Sequence, residues 1–112
     1  MENITWSEFE KIELRVGTIQ NASDFPEARN PAYKLEIDFG SEIGIKKSSA
    51  QITKLYTKEE LIGKQIIAVV NFPTKQIGTF FSECLVTGFV SDGKEVILAV
   101  PDKRCENGIK LF

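Results

Sequence analysis

The stretch Tyr33-Lys34-Leu35-Glu36-Ile37-Asp38-Phe39 decides the fold class of this chain, because it alternates apolar and charged residues. In an extended chain such alternation turns one face toward a core and the other toward water, which predicts a β-strand. The segment Phe25–Pro31 before it contains Pro and Asn and predicts a loop. After it, Gly40-Ser41 predicts a turn into a third strand, from about Ile43 to Ser49.

The rest of the chain predicts four more strands. The first runs from about Leu14 to Ala22, and Gly17 inside it predicts either a bulge or a close approach of two backbones. Three further apolar runs predict the strands Ile66–Val70, Glu83–Val90 and Val96–Val100.

Two Thr-x-x-Glu segments have the spacing of a capping box, which marks the start of a helix. Thr5 with Glu8 predicts a helix at the N-terminus, and Thr57 with Glu60 predicts one between the third and fourth strands. These five or six short strands and the inserted helix predict an all-β fold: a five-stranded OB-fold barrel with a short helix between strands 3 and 4 and small flanking terminal elements. We expect residues 1–112 to form one domain, with residues 1–12 as an N-terminal helical arm.

The composition is that of an ordinary folded protein. The 112 residues are 42% hydrophobic and 27% charged, which is typical of one soluble domain. The start, Met1–Trp6, is acidic, and the longest apolar run is only Ile66–Val70. Neither a signal peptide nor membrane insertion is therefore expected, and we predict a cytoplasmic protein.

The composition also excludes several classes of active site. The chain has no histidine, which rules out an imidazole base, a histidine-activated nucleophile and a histidine metal ligand. Cys84 and Cys105 have the spacing of neither a metal site nor a redox pair, so two reduced thiols are expected. Glu59 and Glu60, being adjacent on a helix, diverge. We therefore predict a protein that is not an enzyme and has no metal and no cofactor.

The charge is uneven along the chain. The whole carries a formal net charge of −2, yet the segment 43–82 has six basic and two acidic residues. A local positive field of this kind can steer an anion to one face of an acidic protein. Within it, Ile45–Tyr56 combines Lys46 and Lys47 with Ser48 and Ser49, whose hydroxyls can bond to phosphate or ribose. The two adjacent lysines should point to opposite faces of a strand.

A second segment, Val70–Glu83, predicts a polar loop after a core strand, which is where a barrel presents binding groups. Two interpretations of its aromatic rings remain open. An exposed phenylalanine beside Lys75 would suit base stacking or an apolar peptide side chain. Alternatively, Gly78 closes a turn and both adjacent rings, Phe80 and Phe81, are buried. For Tyr56, in the first segment, we expect packing under the helix.

Both chain ends are apolar. Ile4, Trp6 and Phe9 lie in the N-terminal arm, and Leu111 and Phe112 end the chain. Apolar residues at both ends predict that the termini are covered by a second subunit.

Several motifs in fixed order resemble one known family. Leu14–Ile19 (LRVGTI) looks like the opening motif of the tRNA-binding domain that is appended to many methionyl-tRNA synthetases and is also found as a free dimeric protein. The later motifs keep the family order: Ser48–Thr53, Leu61–Lys64, Val69–Pro73, then Gly78 and Ser82. Three further segments resemble the CsaA subgroup, described as a protein-export chaperone; they are Phe25–Arg29, Ile37–Gly40 and Lys47–Lys54.

The resemblance implies an OB-fold homodimer that binds tRNA, or another structured RNA, by shape and backbone without catalysis. Carried to matching positions, the RNA contacts are Lys46, Lys47, Ser48, Ser49, Asn71, Lys75 and Ser82. Where the broader family has a second basic residue this chain has Gln76, and Glu83 adds a negative charge beside the site. The CsaA-like segments imply an alternative, a chaperone for unfolded precursor polypeptides, with Phe72, Phe80 and Phe81 as the contacts.

Overall fold

A computed structural model describes all residues from Met1 to Phe112. The chain forms two short helices and nine strands, in the order α1 (Trp6–Glu10), β1 (Leu14–Asp24), β2 (Tyr33–Asp38), β3 (Ile45–Ala50), α2 (Lys58–Leu61), β4 (Gln65–Val69), β5 (Lys75–Ile77), β6 (Phe80–Ser82), β7 (Leu85–Val86), β8 (Gly88–Val90) and β9 (Val96–Leu98). The predicted all-β class is confirmed, as is the helix between the third and fourth strands. Neither helix has the length or the apolar composition needed to cross a membrane.

The main sheet has five antiparallel strands in the order β3-β2-β1-β4-β7. The first strand, β1, is long enough to pair with two neighbours, with β4 over Leu14–Thr18 and with β2 over Thr18–Asp24. A shift of register between Ile19 and Asn21 marks a bulge. Because a bulge bends a strand and increases its twist, it lets β1 leave one partner for the other and curl the sheet.

Gly17 is required for close packing rather than for the bulge. A Cβ atom at this position would lie 2.6 Å from Cγ2 of Ile37 and 2.7 Å from the ring of Phe39. These distances are too short for real carbon contacts, so only glycine lets the core side chains lie against β1. Of the two structures expected at Gly17, the bulge lies further along β1, at Ile19–Asn21, and the close approach is made by core side chains rather than by another backbone.

The barrel is closed by hydrogen bonds between β3 and the chain between β6 and β7. The Glu83 N–H donates to the Lys47 carbonyl (2.7 Å), and the Lys47 N–H donates to Oε1 of Glu83 (2.9 Å). The Ser48 hydroxyl donates to the Cys84 carbonyl at 3.0 Å. These four residues form the seam of a nearly closed five-stranded barrel, in agreement with the predicted OB-like fold.

The core follows the alternation that was read from β2. Tyr33, Leu35, Ile37 and Phe39 are buried, whereas Glu36 between them is exposed. They pack in one cluster with side chains from the other elements, among them Ile19, Leu61, Ile66 and Leu98. Burying one such side chain stabilises the fold by about 1.5–3 kcal/mol, so this cluster is the main source of stability.

Two sequence predictions were wrong in detail. The strand predicted over Glu83–Val90 is divided into β7 and β8, because both the N–H and the hydroxyl of Thr87 donate to the Ile67 carbonyl before the chain leaves to pair with β9. The segment predicted as a loop over Val70–Glu83 contains the hairpin β5–β6. Its two-residue turn uses Gly78 at φ 62°, a conformation that glycine adopts freely.

The C-terminal segment pairs with the first part of β1, where β2 has left it. The Val16 N–H donates to the Ile109 carbonyl (3.0 Å), and the Leu111 N–H donates to the Leu14 carbonyl (2.8 Å). Arg15 also bonds to the Gly108 carbonyl. Thus both chain ends meet on the same edge of the barrel.

Candidate functional site

The hairpin β5–β6 brings the predicted polar residues of two segments together. Lys75 lies opposite Ser82 in the hairpin, and the Ser82 hydroxyl accepts a hydrogen bond from the Ser49 N–H on β3 (3.3 Å). Lys75, Ser82 and Ser49 line one open cleft of about 520 Å³, which also includes Gln51. Residues that are more than 30 positions apart in the sequence therefore share one surface.

Lys47 joins this surface through an aromatic ring. Its ammonium lies 5.6 Å from the centroid of the Phe80 ring, and Phe80 in turn packs against Phe25 with centroids 5.3 Å apart. A cation over a ring face is attracted by the ring quadrupole, which orients the Lys47 side chain toward the hairpin. Phe25 was not predicted as part of the site, because a single ring in a Pro-containing loop gives no periodic signal.

None of these lysines is neutralised within the protein. The three ion pairs of the chain join Arg15 and Lys110 to Glu13, and Lys58 to Asp24. Lys47 and Lys75 are both exposed and take part in none of them. Hence both ammonium groups are free to attract an external anion.

Lys46 and Lys47 point to opposite faces of β3, as predicted. Lys47 is exposed, whereas Lys46 is half-buried on the face that carries the buried Ser48 and Ala50. Burial raises the pKa of the nearby Cys84 thiol to about 12, against smaller opposing effects of the Ser48 hydrogen bond and of the Lys46 charge. The Lys46 side chain thus lies on the barrel side of the strand, away from Lys47.

Two predicted RNA contacts have structural partners instead. The side chain of Ser48 is 0% exposed and its hydroxyl bonds to the seam at Cys84. Asn71 is exposed, but its Oδ1 accepts from the Glu13 N–H (3.0 Å) and its Nδ2 donates to the Lys11 carbonyl (2.7 Å). Ser48 therefore closes the barrel and is not accessible to a ligand, whereas Asn71 holds the N-terminal arm and still has one amide hydrogen and one oxygen lone pair for a ligand.

The phenylalanines resolve the alternatives that the sequence left open. Phe81 is 44% exposed and Phe80 is half-buried, so the interpretation in which both rings are buried is wrong. Phe72 is 56% exposed and lines a cleft of about 410 Å³ with Leu85, Lys75 and Ser82. The hydrophobic and the cationic side chains thus lie next to each other.

Tyr56 is structural, as predicted. Its hydroxyl accepts from the Leu98 N–H (3.1 Å), and its carbonyl accepts from the Tyr33 hydroxyl (2.8 Å). The ring packs against the core cluster.

The two chain ends form a separate apolar surface. Four of the five residues predicted to contact a second subunit, Ile4, Trp6, Phe9 and Phe112, line one cleft of about 430 Å³. Trp6 is 75% exposed and Phe112 fully exposed, and helix α1 buries no residue within this chain. Leu111, the fifth, pairs with β1 beside this cleft.

The family model described as "Putative tRNA binding domain" matches residues 14–110 of the chain. Methionine–tRNA ligase of Pyrococcus furiosus is 32% identical over 111 residues, which are 99% of this chain and 15% of that protein. The chain therefore spans only a small part of the length of this curated relative.

Two solved structures are similar over their whole length. The crystal structure of a CsaA chaperone protein from Picrophilus torridus is 56% identical, with a TM-score of 0.92, and covers 98% of this chain and 100% of its own. That of chaperone CsaA from Bacillus anthracis str. Ames is 50% identical, with a TM-score of 0.93, over 99% of this chain and 100% of its own.

Proposed function

The chain belongs to the tRNA-binding domain family, and on that premise we propose that it is a non-catalytic, cytoplasmic module that binds tRNA as a homodimer. Recognition would use the shape and the phosphate backbone of the RNA, because the surface offers lysines, hydroxyls and amides but no rigid set of base-reading groups. The observation that carries this proposal is the convergence of Lys47, Ser49, Lys75 and Ser82 around the hairpin β5–β6.

The binding surface supports electrostatic attachment of modest strength. Lys47 and Lys75 supply two unpaired cations in each protomer, and Ser49 and Ser82 supply hydroxyl groups beside them. Glu83 lies at the same seam and subtracts from the local field. With four phosphate contacts in a dimer, affinity should fall on the order of 100-fold between 50 and 200 mM salt.

The test is a mobility shift with tRNA at low salt, comparing wild type with the double variant Lys47→Ala/Lys75→Ala. Lys11→Ala/Lys103→Ala is the matched control, because it removes the same charge from exposed residues that line none of the clefts described above. We expect the control to bind like wild type and the first variant to bind at least tenfold more weakly. Equal binding by both variants, or no binding by wild type at tens of micromolar protein, would contradict the proposal.

The homodimer is supported by the apolar cleft between the chain ends. A helix of five residues is not stable by its own propensity, and α1 has no fully buried side chain within its own chain. A second copy packed against Ile4, Trp6, Phe9 and Phe112 would remove this apolar surface from water. Leu111 would extend the contact along the adjoining strand edge.

Trp6 is the only tryptophan, so its fluorescence reports directly on this interface. In the proposed dimer the emission maximum should lie toward the blue and shift to the red on dilution. Trp6→Ser/Phe112→Ser should sediment as a monomer while its circular dichroism spectrum stays that of a folded barrel. A wild-type chain that sediments as a monomer at high micromolar concentration would refute the dimer.

A second candidate function is a chaperone that binds unfolded or precursor polypeptides. It is favoured by the full-length similarity to two CsaA chaperones, by the exposure of Phe72 in a cleft of about 410 Å³, and by the exposure of Phe81 on the hairpin β5–β6. An apolar peptide side chain could enter between Phe72 and Leu85. The third predicted contact, Phe80, packs against Phe25 instead of lining this cleft.

The two functions respond differently to salt and to mutation. Titration with an unfolded precursor peptide should show binding that persists at high salt and is lost in Phe72→Ser/Phe81→Ser if the surface binds polypeptide. Binding of RNA should instead be lost in Lys47→Ala/Lys75→Ala and weaken with salt. Failure of the peptide to bind at any salt concentration would exclude the chaperone function.

A further inference from the structure

A second polar cleft lies beyond the surface described above. It measures about 400 Å³ and is lined by Asn30, Pro31, Gln51, Thr53, Lys54 and Lys94. None of the six side chains is acidic, and none is aromatic. We call it the Lys54 cleft. Such a lining offers cations and hydrogen-bond donors but no ring for a base to stack on, which suits phosphate and ribose rather than a nucleobase.

The two lysines of the cleft reach it from different elements. Lys54 follows β3, and its ammonium donates one hydrogen bond to the Gly93 carbonyl in the β8–β9 turn (3.2 Å). An ammonium has three donors, so the others remain available to a ligand. Lys94 lies in that same turn and, at φ 62°, is the one non-glycine residue with a positive φ. Neither lysine forms an ion pair, and the acidic neighbours Asp92 and Glu95 do not line the cleft.

The strained backbone of Lys94 is a second, independent observation. A side chain at positive φ is uncommon, and glycine occupies such turn positions without strain. The hairpin has a glycine at the adjacent position, Gly93, yet carries lysine at the strained one. Lys94 in this conformation lines the cleft together with Lys54.

The Lys54 cleft adjoins the surface around the hairpin β5–β6, because Gln51 lines both clefts. The shared residue defines a path along the surface from Lys75 and Ser82, past Ser49 and Gln51, to Lys54 and Lys94. The strands of the β8–β9 hairpin border the same path through Val90 and Val96. An RNA backbone bound at Lys75 and Ser82 would therefore have the Lys54 cleft next to it.

We propose that the Lys54 cleft is a second phosphate-binding site for the RNA backbone, with Lys54 and Lys94 as its cations and Gln51, Thr53 and Asn30 as hydrogen-bonding groups. This inference rests on the proposed RNA-binding function and extends its contact surface. It assigns to the loop after β3 and to the β8–β9 turn a role in anchoring RNA that passes over β3.

The experiment measures the affinity for tRNA at several salt concentrations by fluorescence anisotropy. The variant is Lys54→Gln/Lys94→Gly, and Lys11→Ala/Lys103→Ala is again the control for total charge. Each lysine on a phosphate contributes about 0.7–0.9 to the slope of log K against log salt. We expect the slope of the variant to fall by about 1.5 for each protomer that the RNA contacts, and that of the control to stay unchanged.

Because Lys54 also holds the β8–β9 turn, its replacement could loosen the hairpin. Lys94→Gly alone avoids this, since glycine adopts the required backbone conformation freely and the Gly93 bond is kept. We expect this single variant to melt no lower than wild type. Its slope of log K against log salt should fall by about half as much as that of the double variant. Lys54→Arg, which keeps the charge and a donor, should retain the wild-type slope.

The possible results separate the two proposals. If wild type does not bind tRNA, both are overturned. If Lys47→Ala/Lys75→Ala weakens binding but folded Lys54→Gln/Lys94→Gly keeps the wild-type affinity and slope, only the second site is overturned. If the latter variant keeps RNA binding but loses an unfolded polypeptide, the cleft belongs to polypeptide and the inference is equally overturned.

Discussion

The two helices of this protein start with the same local sequence code but end in different surroundings. Thr5 with Glu8 in α1, and Thr57 with Glu60 in α2, each form a complete capping box, with reciprocal hydrogen bonds between side chain and backbone. Helix α2 then buries Leu61 in the barrel, whereas α1 buries nothing. The capping box therefore decides where a helix starts, and packing decides whether the chain itself or a partner stabilises it.

The two helices are also attached to the barrel by different kinds of contact. Helix α2 is inserted between two strands of the barrel, and Leu61 belongs to the core cluster. The arm that carries α1 is held by the side chain of Asn71 and by a hydrogen bond from the Val70 N–H to the Glu13 carbonyl. A few polar contacts position the arm, so its apolar side remains available to a second subunit.

The largest expected effect is that of Leu61→Ala. Leu61 is fully buried, and replacing a buried leucine by alanine typically costs about 2–5 kcal/mol, through lost burial and the remaining cavity. We expect a loss in the free energy of unfolding of this size by urea denaturation. Ile62→Ala is the matched control, since its neighbour Ile62 is half exposed; a similar loss in both variants would show that α2 is not anchored by Leu61.

Asn71→Ala should loosen the arm without affecting the barrel. It removes two side-chain hydrogen bonds, each worth about 0.5–1.5 kcal/mol. Amide hydrogen exchange should become faster in residues 5–13 and stay unchanged in β2, and the proposed dimer should dissociate at higher concentration. If tRNA affinity alone falls while exchange in the arm stays as in wild type, Asn71 contacts RNA directly and the role given to it here is wrong.

Removing the caps should separate the two helices more finely. Thr57→Ala should lower the free energy of unfolding by about 1 kcal/mol, as is usual for a lost N-cap. In dilute protein Thr5→Ala should leave it almost unchanged, because unfolding of α1 exposes no buried side chain. Equal losses in dilute protein would mean that α1 is part of the cooperative unit of the barrel.

The smallest expected effects are those of pH on stability. Acid should weaken the contacts at the base of the arm, whereas alkali should weaken the ion pair of α2. Hydrogen bonds from Arg15 and then Lys110 lower the pKa of Glu13 at the base of the arm. A lowered carboxyl pKa contributes stability above its unfolded value, near 4.3, and this is lost as pH falls through the folded value. A hydrogen bond to Asp24 raises the pKa of Lys58 in α2. That contribution is complete below about pH 10.4 and is lost as pH rises through the folded value.

The protection factors of the arm amides, which correct for the intrinsic pH dependence of exchange, should accordingly fall in acid, below about pH 4. The Lys58 contribution to the melting temperature should be present at neutral pH and be lost only in alkali. Comparison with Glu13→Gln isolates the contribution of Glu13 in acid. Comparison with Lys58→Met is needed in alkali, because ionisation of the buried Cys84 thiol also changes stability at high pH. Equal protection factors in the wild-type arm at pH 3 and pH 6 would contradict the role of the Glu13 pairs.

The barrel could be predicted from sequence because its strands obey local rules. Alternation in Tyr33–Phe39 identified the buried face of β2, and the two capping boxes located both helices. The hairpin β5–β6 could not be found in this way. Its strands are only three residues long, too short for a period of two to be recognised, and its turn is set by backbone geometry at Gly78.

The candidate site could be predicted only in part, because a residue type does not reveal its hydrogen-bond partners. Lys47 and Lys75 are exposed, as an anion-binding role requires. Ser48 and Asn71 carry equally suitable groups, but their partners at Cys84, Lys11 and Glu13 come from distant parts of the chain. The sequence places Lys54 in the basic segment but does not pair it with Lys94, because nothing local shows that two loops bring them to one cleft.

The position of Lys47 links ligand contact to the closure of the barrel. Its backbone bonds to Glu83 across the seam, while its side chain lies against the hairpin that carries Lys75. A polyanion bound to both lysines would therefore connect the two sides of the seam and reduce local opening of the barrel there. The amides of Lys47 and Glu83 should then exchange hydrogen more slowly when a polyanion is bound, so their protection reports ligand occupancy.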